Sequence, residues 1–239
     1  MWMDVVDLQH FYQTSLGLWA RRLIRSRLKP FIGHCSQQTV LGVGYPLPYM
    51  KLFKEVESCS AVLMPAQQGV VTWPSRKPSI CVLAEETAFP FPNKTFDILF
   101  LCHALEFCEQ THQMLRESWR ILKDNGRLII LAPNRLSIWS RAERTPFGHG
   151  HPYTQSQLSG VLRKNCFVPI RHEGVLYMPP FQSRFIRASS FAWEQVGRRW
   201  LSLLPGALMV EATKQLYTAT PIPVTPQPFE KTLLSTLNP

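Results

Sequence analysis

His103 and Glu106 stand three residues apart at the end of an apolar run, and an imidazole beside a carboxylate is suited to moving a proton. His103 reads as a candidate base. Glu106 either orients it or opens the next helix, where an acidic side chain is favourable. Residues 141–153 (RAERTPFGHGHPY) are punctuated by glycine and proline and read as a loop. In it, His149 and Tyr153 are candidates for acceptor binding or base work. His149 and His151 are two apart with no cysteine or acid to complete a ligand set, so no metal is expected. Gly42 and Gly44 (in VLGVGYPLP) let a ligand approach the backbone closely.

These groups must be positioned by larger elements. Residues 39–43, 61–64, 80–84, 96–102 and 127–132 are short apolar runs, each long enough for one buried strand. Between the last two, Met114, Leu115, Trp119, Ile121 and Leu122 form a helical stripe over residues 109–122, stopped by Asp124-Asn125-Gly126. Two buried strands joined by a helix make a βαβ unit of a parallel sheet. A helix is expected over residues 51–57, and another begins at Tyr153-Thr154, with Thr154 as N-cap and Leu158 and Leu162 on its apolar face. Residues 167–175 and 207–217 supply two more strands. The alternation predicts an α/β, doubly wound, mostly parallel seven-stranded sheet with helices on both faces. In such sheets ligands sit beyond the carboxyl ends of the strands, where Cys102-His103 and Pro133-Asn134 fall.

Residues 4–29 read as one amphipathic helix, with Leu8, Phe11, Tyr12, Leu16, Trp19 and Leu23 on its apolar face and Pro30 ending it. Arg21, Arg22, Arg25, Arg27 and Lys29 load its last turns. Its role is to cap the sheet or the site's mouth, the alternative being contact with an anionic membrane or RNA. The expected organisation is an N-terminal helix over 1–33, a catalytic-type domain over 34–217 with a helical insertion at about 179–204, and a Pro-rich tail over 218–239 lacking order. No apolar run is long enough to span a membrane, and no secretory segment is visible. With six scattered cysteines and no C-x-x-C, a cytoplasmic, reduced setting is expected.

The order F-P-F-P-N-K-T-F-D (89–97), H-A-L-E (103–106), L-K-D-N-G-R-L (122–128) and P-N (133–134) resembles the middle of class I S-adenosylmethionine-dependent methyltransferases of the type 11 group. The resemblance implies a Rossmann-like sheet with one antiparallel member near its end, and S-adenosylmethionine as cofactor. It places Gly42 where the family has an acid, Gly44 at the first glycine of the donor loop, and Tyr45 beside it. Pro46 and Pro48 stand at the other two glycines, and prolines remove two N–H groups. Met64 falls where an acid takes the ribose hydroxyls, with Gln67 or Gln68 as the nearby acceptors. Glu85 falls where the family contacts the adenine amino group, with Glu86 as its reserve. Cys102 and His103 line the donor near its sulfonium.

The net charge of +10 is uneven. Residues 34–111 hold five basic and seven acidic side chains, whereas residues 112–170 hold nine and three. A basic acceptor half suits an anionic acceptor, or an anionic surface carrying it. Three functions stand: methyl transfer to a small or lipid-like acceptor of anionic character; a catalytically inactive relative acting as a binding or scaffold protein, given the altered loop; and an RNA-binding or RNA-modifying version, which would show salt-dependent affinity.

Overall fold

The computed structural model describes residues 2–33, 38–54, 60–74, 78–180 and 204–216. The expected helical insertion and Pro-rich tail fall almost wholly outside the described residues. Seven strands form one sheet in the order β3-β2-β1-β4-β5-β7-β6. They are β1 (Val40–Gly44), β2 (Ser60–Pro65), β3 (Cys81–Ala84), β4 (Phe96–Cys102), β5 (Leu122–Pro133), β6 (Phe167–Val175) and β7 (Ala207–Lys214). The pairs β1–β2, β1–β4, β2–β3 and β4–β5 are parallel, and β7 lies antiparallel to both β5 and β6. The strand order reverses between β1 and β4, which makes the carboxyl ends of these two strands the topological switch point.

Both faces of the sheet are covered, so its central strands carry apolar residues on both faces. Val40, Val62, Ile98, Phe100 and Ile129 pack on one face beneath α1 (Val5–Gln13), α2 (Ser15–Ile32) and α3 (Leu47–Lys54). Leu41, Leu63, Leu99, Leu101 and Leu128 pack on the other beneath α4 (Thr111–Ile121) and α5 (Gln155–Lys164). Alternate residues of one strand thus serve opposite cores.

Four local expectations are corrected. The N-terminal helix is two helices, divided at Thr14, whose Oγ1 accepts from Gly17 N at 3.0 Å and caps α2. Pro30 does not end α2, which runs on to Ile32 and Gly33. Its last carbonyls are taken by two arginines: Arg127 donates to Phe31 O and Ile32 O at 2.9 and 3.1 Å, and Arg171 to Pro30 O at 3.2 Å. The helix before β5 stops at Ile121, ahead of Asp124-Asn125-Gly126. Those residues instead take up a shift in the β4–β5 register between Phe96 and Ile98. The helix expected over 51–57 begins earlier, at Leu47, directly after β1. Pro46 and Pro48 therefore sit at a helix start, where a missing N–H costs least. Among the described residues no helix is long and apolar enough to cross a membrane.

Candidate active site

The switch point is built from the ends of four strands. After β1, Gly44 turns with φ +84°, and a Cβ there would lie 2.5 Å from Cys102 O. Tyr45 N donates to Cys102 O at 2.7 Å, closing the loop against β4. Gly42 is bare for a related reason, since a Cβ would meet Pro46 Cγ at 2.4 Å. An acid therefore has no room at that position, and the Pro46 ring fills its place. Met64 ends β2 fully buried. Gln68, in the turn that follows, is 1% exposed and donates from Nε2 to His103 O at 3.4 Å. After β3, Glu85 faces solvent and Glu86 is turned inward and buried.

After β4, His103 has φ +50°, a left-handed conformation that non-glycine residues seldom adopt, although histidine tolerates it better than most. The turn aims its ring into the crevice, where it is buried with Glu106. Nδ1 lies 3.1 Å from Glu106 Oε1, and Nε2 lies 2.7 Å from the Tyr12 hydroxyl. Tyr49 donates its hydroxyl to that of Tyr12 at 3.1 Å. Tyr12 thus has its own proton left for Nε2, which places the imidazole proton on Nδ1, toward Glu106. Burial, with Tyr49 and Cys102 nearby, pushes the Tyr12 phenol well above its ordinary value, so it stays a donor. Burial likewise holds the Cys102 thiol well above the usual range, with Glu106 adding to it. That keeps Cys102 a neutral wall group and no nucleophile.

The His103 ring meets Phe147 edge-on at 5.1 Å, and Phe147 in turn meets Trp139 at 5.4 Å and Phe11 at 6.3 Å. Trp139 and Phe147 come from the segment after β5, which forms two short 3-10 turns. That segment therefore reaches the site through aromatic side chains. Its polar candidates lead elsewhere: His149 Nε2 is bonded to the Glu143 carbonyl, and the Tyr153 hydroxyl donates to Leu105 O at 3.5 Å. The structure thus brings together Gly44, Tyr45, Gln68, Cys102, His103 and Glu106, with Glu86 to one side. It adds Trp2, Tyr12 and Phe147, which no local motif marks. Trp2 and Tyr12 carry a polar tip on an aromatic ring in an amphipathic stretch, and that was the available signal.

Residues 42–130 match the family model described as a methyltransferase domain. Over this segment and in fold, the chain resembles class I methyltransferases of the type 11 group. A methyltransferase from Archaeoglobus fulgidus described as SAM-dependent is similar over 88% of this chain and 100% of its own, with TM-score 0.61 and 19% identity. A possible histamine N-methyltransferase from Thermotoga maritima is similar over 88% and 96%, with TM-score 0.63 and 14% identity. At these identities the likeness is one of fold. Among curated relatives, Escherichia coli (strain K12) YafS is 35% identical over 100 residues, 42% of either chain. The mitochondrial 2-methoxy-6-polyprenyl-1,4-benzoquinol methylase of Caenorhabditis elegans is 34% identical over 58 residues, 24% of this chain and 20% of its own. The alignments thus span less than half the length of the curated relatives.

Whether the crevice suits the donor that this resemblance implies is tested by its polar atoms. Gln68 Oε1 and Glu106 Oε2 are buried without a hydrogen-bond partner, beside the ends of β2 and β4. Buried acceptors left unpaired are costly and call for a ligand carrying O–H or N–H groups. The ribose hydroxyls and the ammonium of S-adenosylmethionine are such groups. Glu86, Gln68, Gly44, Glu106 and His103 would hold it, and the altered loop contributes little beyond close approach.

Proposed function

We propose that this chain transfers a methyl group from S-adenosylmethionine to the oxygen of a lipid-like or ring-bearing acceptor, with His103 as the base. When bound, the donor supplies a methyl carbon made electrophilic by a sulfonium. Glu106 holds Nδ1–H and so leaves Nε2 free to take the acceptor's hydroxyl proton. Phe147, with Trp139 behind it, gives the acceptor an apolar wall and excludes water from the reacting oxygen. The observation that carries this reading is the buried His103–Glu106 pair, whose unprotonated Nε2 already accepts from a hydroxyl, that of Tyr12, at 2.7 Å. The name of the Caenorhabditis elegans relative, which contains a polyprenyl benzoquinol, suits an acceptor with a hydroxylated ring and an apolar tail. The excess of basic side chains over residues 112–170 favours an acceptor of anionic character or one held at an anionic surface.

The test uses the full chain, S-adenosylmethionine and a short-chain prenylated hydroquinone, with release of S-adenosylhomocysteine as readout. Asparagine also tolerates the left-handed backbone at 103, so His103→Asn keeps the turn and removes the base. The expected outcome is a fall in kcat of about 10²–10⁴ with little change in KM for the donor. Equal turnover by His103→Asn removes His103 as base.

A further inference from the structure

The donor-facing groups at the switch point are already engaged, and the chain's own N-terminal segment engages them. Trp2 Nε1 donates to Glu86 Oε2 at 2.8 Å. This puts a flat bicyclic ring bearing an N–H donor on the carboxylate beside the expected adenine position. Val5 N donates to Gln68 O at 2.9 Å, and the Val5 side chain lies against Gly69. Tyr12 places its hydroxyl on His103 Nε2 and stacks its ring on Tyr45, with centroids 5.9 Å apart and planes at 23°. Ring and hydrogen-bond contacts of the kind a nucleoside and an acceptor would make are therefore supplied from within. The two acceptors without a partner, Gln68 Oε1 and Glu106 Oε2, are the groups this internal occupant does not reach.

We propose that residues 2–13 are an internal occupant of the donor site, so that this arrangement is the closed form and S-adenosylmethionine enters only as α1 lifts from α2. The proposal rests on the donor reading above and adds its regulation. The joint is visible. Thr14 separates the helices, and the end of α1 is seated on bare Gly17, where a Cβ would lie 2.0 Å from Phe11 O and 2.8 Å from Tyr12 Cα. α2 cannot follow α1, because Arg127 and Arg171 hold its far end to β5 and β6. A cleft of about 340 Å³ lies along α1, lined by Met3, Asp7, His10 and Phe11 on one side and Glu143 and Arg144 on the other. It leaves α1 room to shift.

A ligand that binds only the open form shows its intrinsic affinity reduced by the open fraction. The experiment titrates S-adenosylhomocysteine calorimetrically into the full chain, into Gly17→Ala and into Trp2→Ala, and follows amide exchange of residues 5–13 alongside. Gly17→Ala forces α1 from its seat without substituting any residue of the site. Trp2→Ala removes the contact to Glu86 without touching the joint. Both variants are expected to bind at least tenfold more tightly than the unaltered chain, whose residues 5–13 should exchange faster once ligand is added. Equal affinity in all three chains, with exchange indifferent to ligand, overturns the proposal and leaves donor binding standing. No binding by any of them, with α1 of Gly17→Ala exchanging freely, overturns the donor reading and the proposal together.

Discussion

His103 is held in a conformation that costs an L-residue roughly 1–2 kcal/mol, and the surrounding bonds must offset that cost. Strain of this kind persists where geometry matters more than comfort. The ring has a buried carboxyl on one nitrogen and a hydroxyl on the other, and only this turn after β4 presents both. Glu106 acts through His103 and is a positioning residue. Glu106→Gln preserves the volume but removes the anion that would stabilise an imidazolium. Turnover with the hydroquinone acceptor should fall about a hundredfold or more, well beyond any loss of donor affinity, since glutamine keeps one acceptor oxygen. A loss of donor affinity as large as the loss of turnover would instead assign Glu106 to donor binding alone. At this scale the sequence was legible wherever chemistry is local. The H-A-L-E pair was readable, and the choice between Glu85 and Glu86 was narrowed to adjacent residues. Which of the two faces inward depends on how the chain leaves β3, and no composition signal reports that. Trp2 and Tyr12 lie 84 and 91 residues from their partners, beyond the reach of any short motif.

Helices and strands were legible to different degrees. The central strands are apolar on both faces, so each stands out as a short unbroken run. The break at Thr14 was hidden because the apolar stripe continues across it, from Leu8, Phe11 and Tyr12 to Leu16 and Leu23. Magnitudes then constrain how α1 can move. It buries Val5, Leu8, Phe11 and Tyr12, and complete exposure of such side chains costs about 1.5–3 kcal/mol each. A micromolar ligand supplies about 8 kcal/mol in all. Opening must therefore be a pivot that keeps much of this surface covered, and not a release into water. The fixed side of that pivot can be tested by itself. Arg127 also pairs with Glu211 at 3.0 Å, and Glu211 is 7% exposed. Arg127→Met strands that carboxylate and uncaps α2, at an expected cost of about 2–3 kcal/mol in urea unfolding. Adding Glu211→Met should recover part of it, whereas a double variant no better than the single one would mean that the lost caps dominate.

Across the whole molecule, stability depends on ties between the amino ends of strands as well as on the two cores. Asp97, at the start of β4, accepts from Thr39 N and Oγ1 at 2.9 and 2.7 Å and from Lys123 Nζ at 2.8 Å. Burial raises its carboxyl, but these bonds outweigh it and hold the carboxyl below its ordinary value. The unfolded chain therefore takes up this proton at a higher pH than the folded one. The stabilisation is complete above about pH 4 and is lost as pH falls through the depressed folded value. Asp97→Asn should cost about 1 kcal/mol at neutral pH, given the partial exposure of the group, and the difference from the unaltered chain should shrink in acid. A difference that persists undiminished at pH 2 would assign the effect to packing. The parallel sheet was foreseeable from the alternation of strands and helices, and the family resemblance implied one antiparallel member near its end, which is β7. A cap formed by the N-terminal helix was expected from its apolar face, but the groups it seats on were not, since they lie far along the chain. That cap bears on how the protein is handled. Trp2 is seated on Glu86, so an affinity tag joined ahead of it would emerge beside that buried carboxylate. Ligand affinities measured with such a tag in place would report the tag as much as the crevice, and it is best cleaved before titration.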